Sequence, residues 1–274
     1  MTHTTAPILV LGGTGTVGSR VAAGLRAAGR AHRVAARRAE VRFDWSLPGT
    51  WPAALDGART MFVLLPDQTA LPDDFLRTAR RHGVEKVVLH SDRAVDVMNV
   101  TSLQAAEAQV RASGCAWTIV RSDWFDQDFE TFFRQPVLDG RLCVPVGSVR
   151  QGFVDAGDIA AVCVEALLGE DFAGRILPLT GPVALSFREA LDHLQRVTGL
   201  RVEFDGTPDG YRAALRGDGV PEEAVETLIA NFAAAAAQGD TRPTGVVEEV
   251  LGRPGKDFGA YAEEAAARGA WRQT

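Results

Sequence analysis

ILVLGGTGTVGSR, residues 8–20, passes from an apolar run into glycines and then into a helical pattern. Ile8–Leu11 shows no polar alternation, the mark of a strand buried on both faces. Gly12, Gly15 and Gly18 follow at intervals of three. In a strand–turn–helix setting Gly12 permits the tight turn, Gly15 lets the backbone approach a pyrophosphate, and Gly18 lets the helix pack close to the sheet. Thr14, Thr16 and Val17 complete the loop. The unpaired N–H groups of the following helix start offer partial positive charge to phosphate. A dinucleotide site is the expectation, against a purely structural glycine turn.

Strands and helices then alternate. The runs His32–Ala36, VRFDW (41–45), TMFVLLP (60–66), EKVVLHSD (85–92) and AWTIVRSDW (116–124) read as strands. Helices are expected over Ser19–Ala28, in WPAALDG, in PDDFLRTARRHG and over Leu103–Ser113, each followed or closed by a glycine. This alternation predicts an α/β protein with a Rossmann-type doubly wound parallel sheet. Beyond about residue 135 the rhythm changes. GRLCVPVG and GRILPLTGP read as strands. The helix after QGFVD is capped by Asp155 or Asp158, and Ser186 with Glu189 forms a capping box. The expected organisation is a dinucleotide-binding core over 1–135 and a mostly helical substrate-binding region, or lid, over 136–274, interleaved with that core.

Composition narrows the partners. The net charge of −6 argues against nucleic acid, whose binding rests on a basic surface. No apolar run reaches the ~18 residues of a membrane helix, and MTHTTAP lacks the features of a signal peptide. Cys115, Cys143 and Cys163 are odd in number and widely spaced, which suggests free thiols in a reducing cytoplasm and shows no metal-ligand spacing. A small molecule is the expected partner, and a homodimer is the assembly to test for.

An NAD-specific site places an acidic residue about 20 positions past the glycines. Here the second strand ends in AARRAE, with Arg37 and Arg38 where that carboxylate would stand. Guanidinium groups suit a 2′-phosphate, so NADPH is expected over NADH. Asp44 follows the third strand and faces the adenine in this reading; Leu65 and Pro66 follow the fourth and line the cofactor.

Taken together, GGTGTVG, Arg37, FDW, KVVLHS, ASGCAWTIVRSDWFDQDF, FVDAGDIA, LTGP and VLGRP resemble the NmrA-like branch of the atypical short-chain dehydrogenases/reductases, across almost the whole chain. That branch includes NAD(P)H:quinone reductases, small reductases of biosynthetic pathways and non-catalytic redox sensors. The resemblance implies that the loops after the fifth and sixth strands border nicotinamide and substrate: His90, Ser91 and Asp92, then Ser122 to Gln127. The wider superfamily uses a Tyr-x-x-x-Lys pair. Counting back from Glu107, the equivalent positions are about Asn99 and Leu103. The only tyrosines are Tyr211 and Tyr261, neither with a lysine four residues on, and Lys86 and Lys256 are the only lysines.

Without that pair, hydride transfer remains feasible to acceptors that need little protonation, such as quinones or iminium ions, where the protein supplies orientation and a dry pocket. Trp124, Phe125, Phe129, Phe132 and Phe133 offer an aromatic lining, with core packing as the plain alternative. Ser91 and Asp92 are the candidate catalytic residues, Ser91 also touching cofactor. Asp92, Asn99, Trp124, Phe125 and Gln127 are the candidate substrate contacts. His90 points to the opposite strand face from Ser91 and is read as a core histidine. The expected function is an NADPH-dependent reductase of a quinone-like or conjugated aromatic molecule, in secondary metabolism. The rivals are an NADP(H) sensor acting through a protein partner, and a redox-neutral biosynthetic enzyme.

Overall fold

The glycine-rich start feeds the middle of a parallel sheet. The computed structural model describes residues 6–66, 69–217 and 219–272. Among these, seven strands form one sheet: β1 (Ile8–Leu11), β2 (His32–Ala36), β3 (Val41–Arg42), β4 (Thr60–Val63), β5 (Lys86–Asp92), β6 (Ala116–Ser122) and β8 (Arg175–Leu179). Their order is β3-β2-β1-β4-β5-β6-β8, and every pairing is parallel. Two short strands, β7 (Arg141–Cys143) and β9 (Glu203–Asp205), pair separately. The sheet reverses direction of growth between β1 and β4, which is where ligands of such folds bind, beyond the strand carboxyl ends.

The strand sequences explain the layers. Leu9, Val10 and Leu11 are wholly buried, and side chains of alternate parity enter opposite faces. Each such burial contributes about 1.5–3 kcal/mol. One face packs against α2 (Trp51–Leu55), α3 (Phe75–Arg81) and α4 (Thr101–Ala112). The other packs against α1 (Thr16–Ala27), α6 (Ala156–Leu168) and α10 (Val246–Leu251). A third apolar cluster joins α5 (Arg134–Leu138), α7 (Phe187–Thr198), α8 (Pro208–Gly217), α9 (Glu222–Ala236) and α11 (Phe258–Ala267) around Phe129, Phe187 and Phe258.

Several expected boundaries move. Helix α1 begins at Thr16 rather than Ser19, so Gly18 lies in its first turn. The third strand keeps only Val41–Arg42, because Asp44 folds back in a turn with Ser46. Strand β9 has no counterpart in the sequence reading. Asp155 caps α6, its carboxylate accepting from the Gly157 N–H at 2.9 Å. Asp158 does something else: buried in the same helix, it accepts from Arg253 at 2.7 Å and from the Lys256 N–H at 2.6 Å. FVDAGDIA and VLGRP are thereby fastened together. Among the described residues no helix is long and apolar enough to cross a membrane.

Candidate active site

The glycine loop separates what the fold needs from what a ligand needs. Gly12 has φ +80°, and a Cβ there would meet the Leu64 carbonyl oxygen at 2.9 Å. A Cβ on Gly18 would lie 2.1 Å from the Gly12 oxygen. Both positions exclude a side chain for internal reasons. Gly15 does not: the nearest atom to its Cβ would be the Gly12 oxygen at 3.5 Å, an ordinary contact. Gly15 caps α1 with extended backbone, no side chain caps the N–H groups of that helix end, and its first turn carries no acid. The result is an outward cradle of N–H groups that a Cβ would fill, which fits the pyrophosphate of a dinucleotide. At the end of β2, Arg37 and Arg38 are exposed, and among the described residues neither guanidinium makes a hydrogen bond or ion pair. Asp44 accepts from both the N–H and the hydroxyl of Ser46, at 3.0 and 2.7 Å, which lowers its carboxyl.

Next to this loop lies a cavity of about 530 Å³. Leu64, the residue that crowds Gly12, lines it together with Leu65. Strand period then distributes the β5 residues. His90 and Asp92 share one face, and Ser91 takes the other. Because the cavity sits at the strand end, all three border it. Ser91 is 2% exposed, and its hydroxyl donates to Glu107 at 2.8 Å. His90 shares a 2.9 Å hydrogen bond with the Ser122 hydroxyl, and burial brings its imidazole down to about 4, so it is neutral at physiological pH. Asp92 accepts from the Ala94 N–H at 2.5 Å. Burial raises its carboxyl from 3.8 to about 6; that backbone bond opposes the rise, and the neighbouring Asp123 charge adds to it.

The aromatic wall comes from the segment after β6. The Trp124 carbonyl accepts from the Val154 N–H at 2.9 Å, and Phe125 bridges to Val154. This pairing holds Trp124 against Phe133, Phe187 and Phe232, the last at 6.0 Å between centroids and 11° between planes. Phe125 meets His90 edge-on at 5.7 Å. The far wall arrives from distant sequence: Phe232 and Ala235 of α9, then residues 238–242. A tie closes it, in which Arg93 bonds both Asp123, at 2.8 Å, and the Thr241 hydroxyl, at 2.7 Å.

No family model matches the chain. NAD(P)H azoreductase of Xenophilus azovorans is 32% identical over 282 aligned residues, which cover 95% of this chain and 98% of the relative. The chain belongs to the NmrA-like family of NAD(P)-binding oxidoreductases. It is an NAD(P)H-dependent oxidoreductase. A (4-alkanoyl-5-oxo-2,5-dihydrofuran-3-yl)methyl phosphate reductase of Streptomyces griseus is also 32% identical, over 94% of this chain and 97% of the relative. The NADPH complex of an Escherichia coli quinone oxidoreductase superposes with a TM-score of 0.78 at 16% identity, covering 94% of this chain and 99% of that one, which shows the fold.

In this NmrA-like reductase the sequence-derived site residues divide into two groups. Leu65, Ser91, Asp92, Trp124 and Phe125 meet at the cavity. Asn99 does not: it is exposed, at φ +50°, and stands outside the lining, although its neighbours Val97 and Met98 belong to it. Gln127 is also displaced. It is 4% exposed, its amide nitrogen donates to Asp155 at 2.7 Å and its amide oxygen accepts from the Ala156 N–H at 2.7 Å. Both ends of the amide fix the start of α6, and the buried side chain is not part of the cavity lining. Pro66 is exposed and outside the lining. Phe129 and Phe133 are core residues, and Phe132 is 73% exposed. His90, read as a core histidine, borders the cavity instead. Of the pocket residues, sequence reasoning missed Phe232 and the 238–242 segment. Neither tyrosine and neither lysine lines the cavity.

Proposed function

We propose that this oxidoreductase uses NADPH to reduce planar, electron-poor conjugated acceptors of the quinone or azo type. The observation that carries the reading is a shared neighbour. Leu64, which packs against Gly12 of the glycine loop, also lines the cavity that holds Trp124, Phe125 and Asp92. The aromatic faces of Trp124, Phe125 and Phe232 suit a flat conjugated molecule, while polar side chains, Asp92, Arg93, Asp123 and Arg242 among them, also line the cavity and can fix its orientation. The two relatives at 32% identity are named for reducing an azo compound and a 5-oxo-2,5-dihydrofuran, both electron-poor π systems.

The residues take these roles. Gly15, Thr16, Val17 and Gly18 hold the pyrophosphate, and Arg37 and Arg38 receive the 2′-phosphate, which favours NADPH. Thr14 and Asp44 complete the nucleotide side, and Leu65 borders the ring end. The bound dinucleotide supplies a hydride. Reduction of a neutral acceptor also consumes one proton, and Asp92 is placed to give it. With a carboxyl at about 6, roughly a tenth remains protonated at pH 7. A cationic conjugated acceptor takes hydride alone and needs no such donor. The 136–274 region, with α9 foremost, acts as the substrate-binding part. The site of action proposed is the cytoplasm and the setting secondary metabolism.

Absorbance of NADPH, followed with a neutral quinone, an azo dye and a cationic dye, tests the reading. Acceptor-dependent oxidation is expected, with the neutral acceptors losing rate as pH rises above about 6. Tight dinucleotide binding with no turnover on any conjugated acceptor would overturn it.

A further inference from the structure

The Ser91 hydroxyl has one proton, and that proton points away from the cavity. It goes to Glu107 Oε1, 2.8 Å away on α4. Glu107 is 2% exposed and is held by two guanidiniums: Arg121 Nε at 2.8 Å from Oε1 and Nη2 at 2.7 Å from Oε2, and Arg111 at 2.8 Å from Oε2. A carboxylate so paired only accepts hydrogen bonds. Ser91 borders the cavity, so a group that reaches its hydroxyl from that side meets lone pairs and not the proton.

We propose that Glu107 is a positioning residue that sets this polarity, and that Ser91 receives the carboxamide N–H of the nicotinamide. The inference rests on the dinucleotide reading above. Two observations point to the cofactor rather than to the acceptor. Strands β1, β4 and β5 are neighbours in the sheet, so their carboxyl ends make a track from the glycine loop, past Leu64, to Ser91. A quinone or azo group, moreover, offers oxygens or nitrogens with lone pairs and no N–H or O–H to donate. The carboxamide amine is the donor that an acceptor at this position can use.

The test is binding, with no substrate present. Calorimetry compares NADPH with its 3-acetylpyridine analogue, which keeps the ring carbonyl and replaces the amine by methyl. The native protein is expected to bind NADPH about 5- to 10-fold more tightly, the worth of one net hydrogen bond. Ser91→Ala removes the gap by weakening NADPH alone. Glu107→Gln narrows it, because a glutamine amide donates to Ser91 and lets the serine proton turn toward the cavity. Should Glu107→Gln fail to fold with Arg111 and Arg121 left short of charge, Ser91→Ala decides alone. Equal binding of the two dinucleotides by the native protein, or a gap that survives Ser91→Ala, overturns the proposal and leaves the proposed function standing. Failure to bind either dinucleotide overturns both.

Discussion

Asp92→Asn should make the protein more stable at neutral pH while impairing it as a reductase. The unfolded carboxyl ionises near 3.8 and the folded one near about 6. Between those values the unfolded chain releases a proton that the folded protein keeps, so stability falls as pH rises through this window. Above about 6 the loss is complete and constant. The gap, at 1.36 kcal/mol per pH unit, makes the ionised side chain cost about 3 kcal/mol at neutral pH. Asparagine has no charge to bury and keeps an oxygen for the Ala94 N–H, so about 2 to 3 kcal/mol should be recovered. Urea unfolding of both proteins at about pH 7.5, 5 and 3.5 reads this directly. The variant's advantage should be full at the highest pH, reduced at the middle one and nearly absent at the lowest. The same variant should lose the pH dependence of quinone reduction and keep its rate on a cationic dye. An advantage that is absent at about pH 7.5, or as large at 3.5, would mean that Asp92 is not a desolvated acid, and its role as proton donor would go with it.

Arg37→Ala should weaken NADPH binding about 10- to 100-fold and leave NADH unchanged, the scale of one or two lost charge-assisted hydrogen bonds; equilibrium dialysis against both cofactors checks it. Gly15→Ala should fold normally and bind dinucleotide poorly, whereas Gly18→Ala should not fold soundly, because its methyl would lie 2.1 Å from a carbonyl oxygen; circular dichroism melts and calorimetry separate the two. Asp126 is wholly buried, and among the described residues neither carboxyl oxygen has a hydrogen-bond partner. Burial holds its carboxyl well above the ordinary value, with Asp155 and Asp158 adding to the rise. Asp126→Asn should therefore stabilise the protein above about pH 4 and change nothing below it, as read by urea midpoints.

The sequence makes the sheet legible because its strands are buried on both faces and so read as unbroken apolar runs, as in Leu9–Leu11 and Val87–Leu89. Glycines after helices mark the returns. The cofactor loop is legible for a different reason: its spacing records a backbone geometry that few other residues tolerate. What stays hidden is whatever depends on distance. Counting back from Glu107 puts Asn99 at a catalytic position, but counting cannot see that Asn99 is exposed while its neighbours Val97 and Met98 line the cavity. Gln127 carries a polar amide close to two aromatics, and only the fold reveals that Asp155 and Ala156 consume it. His90 is correctly separated from Ser91 by strand parity; parity loses its force at a strand end, where a cavity spans both faces. Phe232, in a helix rich in alanine, and residues 238–242, in the irregular segment after it, lie more than a hundred positions from Trp124, with no local sign that they face it.

The tie from Arg93 to Asp123 and Thr241 has a consequence for how such an enzyme diversifies. One wall of the cavity belongs to the sheet end, where hydride delivery is proposed to take place. The other belongs to a segment from Phe232 to Arg242, which the tie fastens to the sheet end through a guanidinium and a hydroxyl. A segment secured in this way is exchangeable. Lineages, or a designer, can replace the stretch between its anchors and change which molecule is admitted, while the glycine loop, Ser91 and Asp92 are inherited untouched. On the proposed reading, acceptor choice is a replaceable fitting on a fixed redox chassis, and libraries confined to residues 232–240, which leave Thr241 and its tie in place, are the economical way to move it.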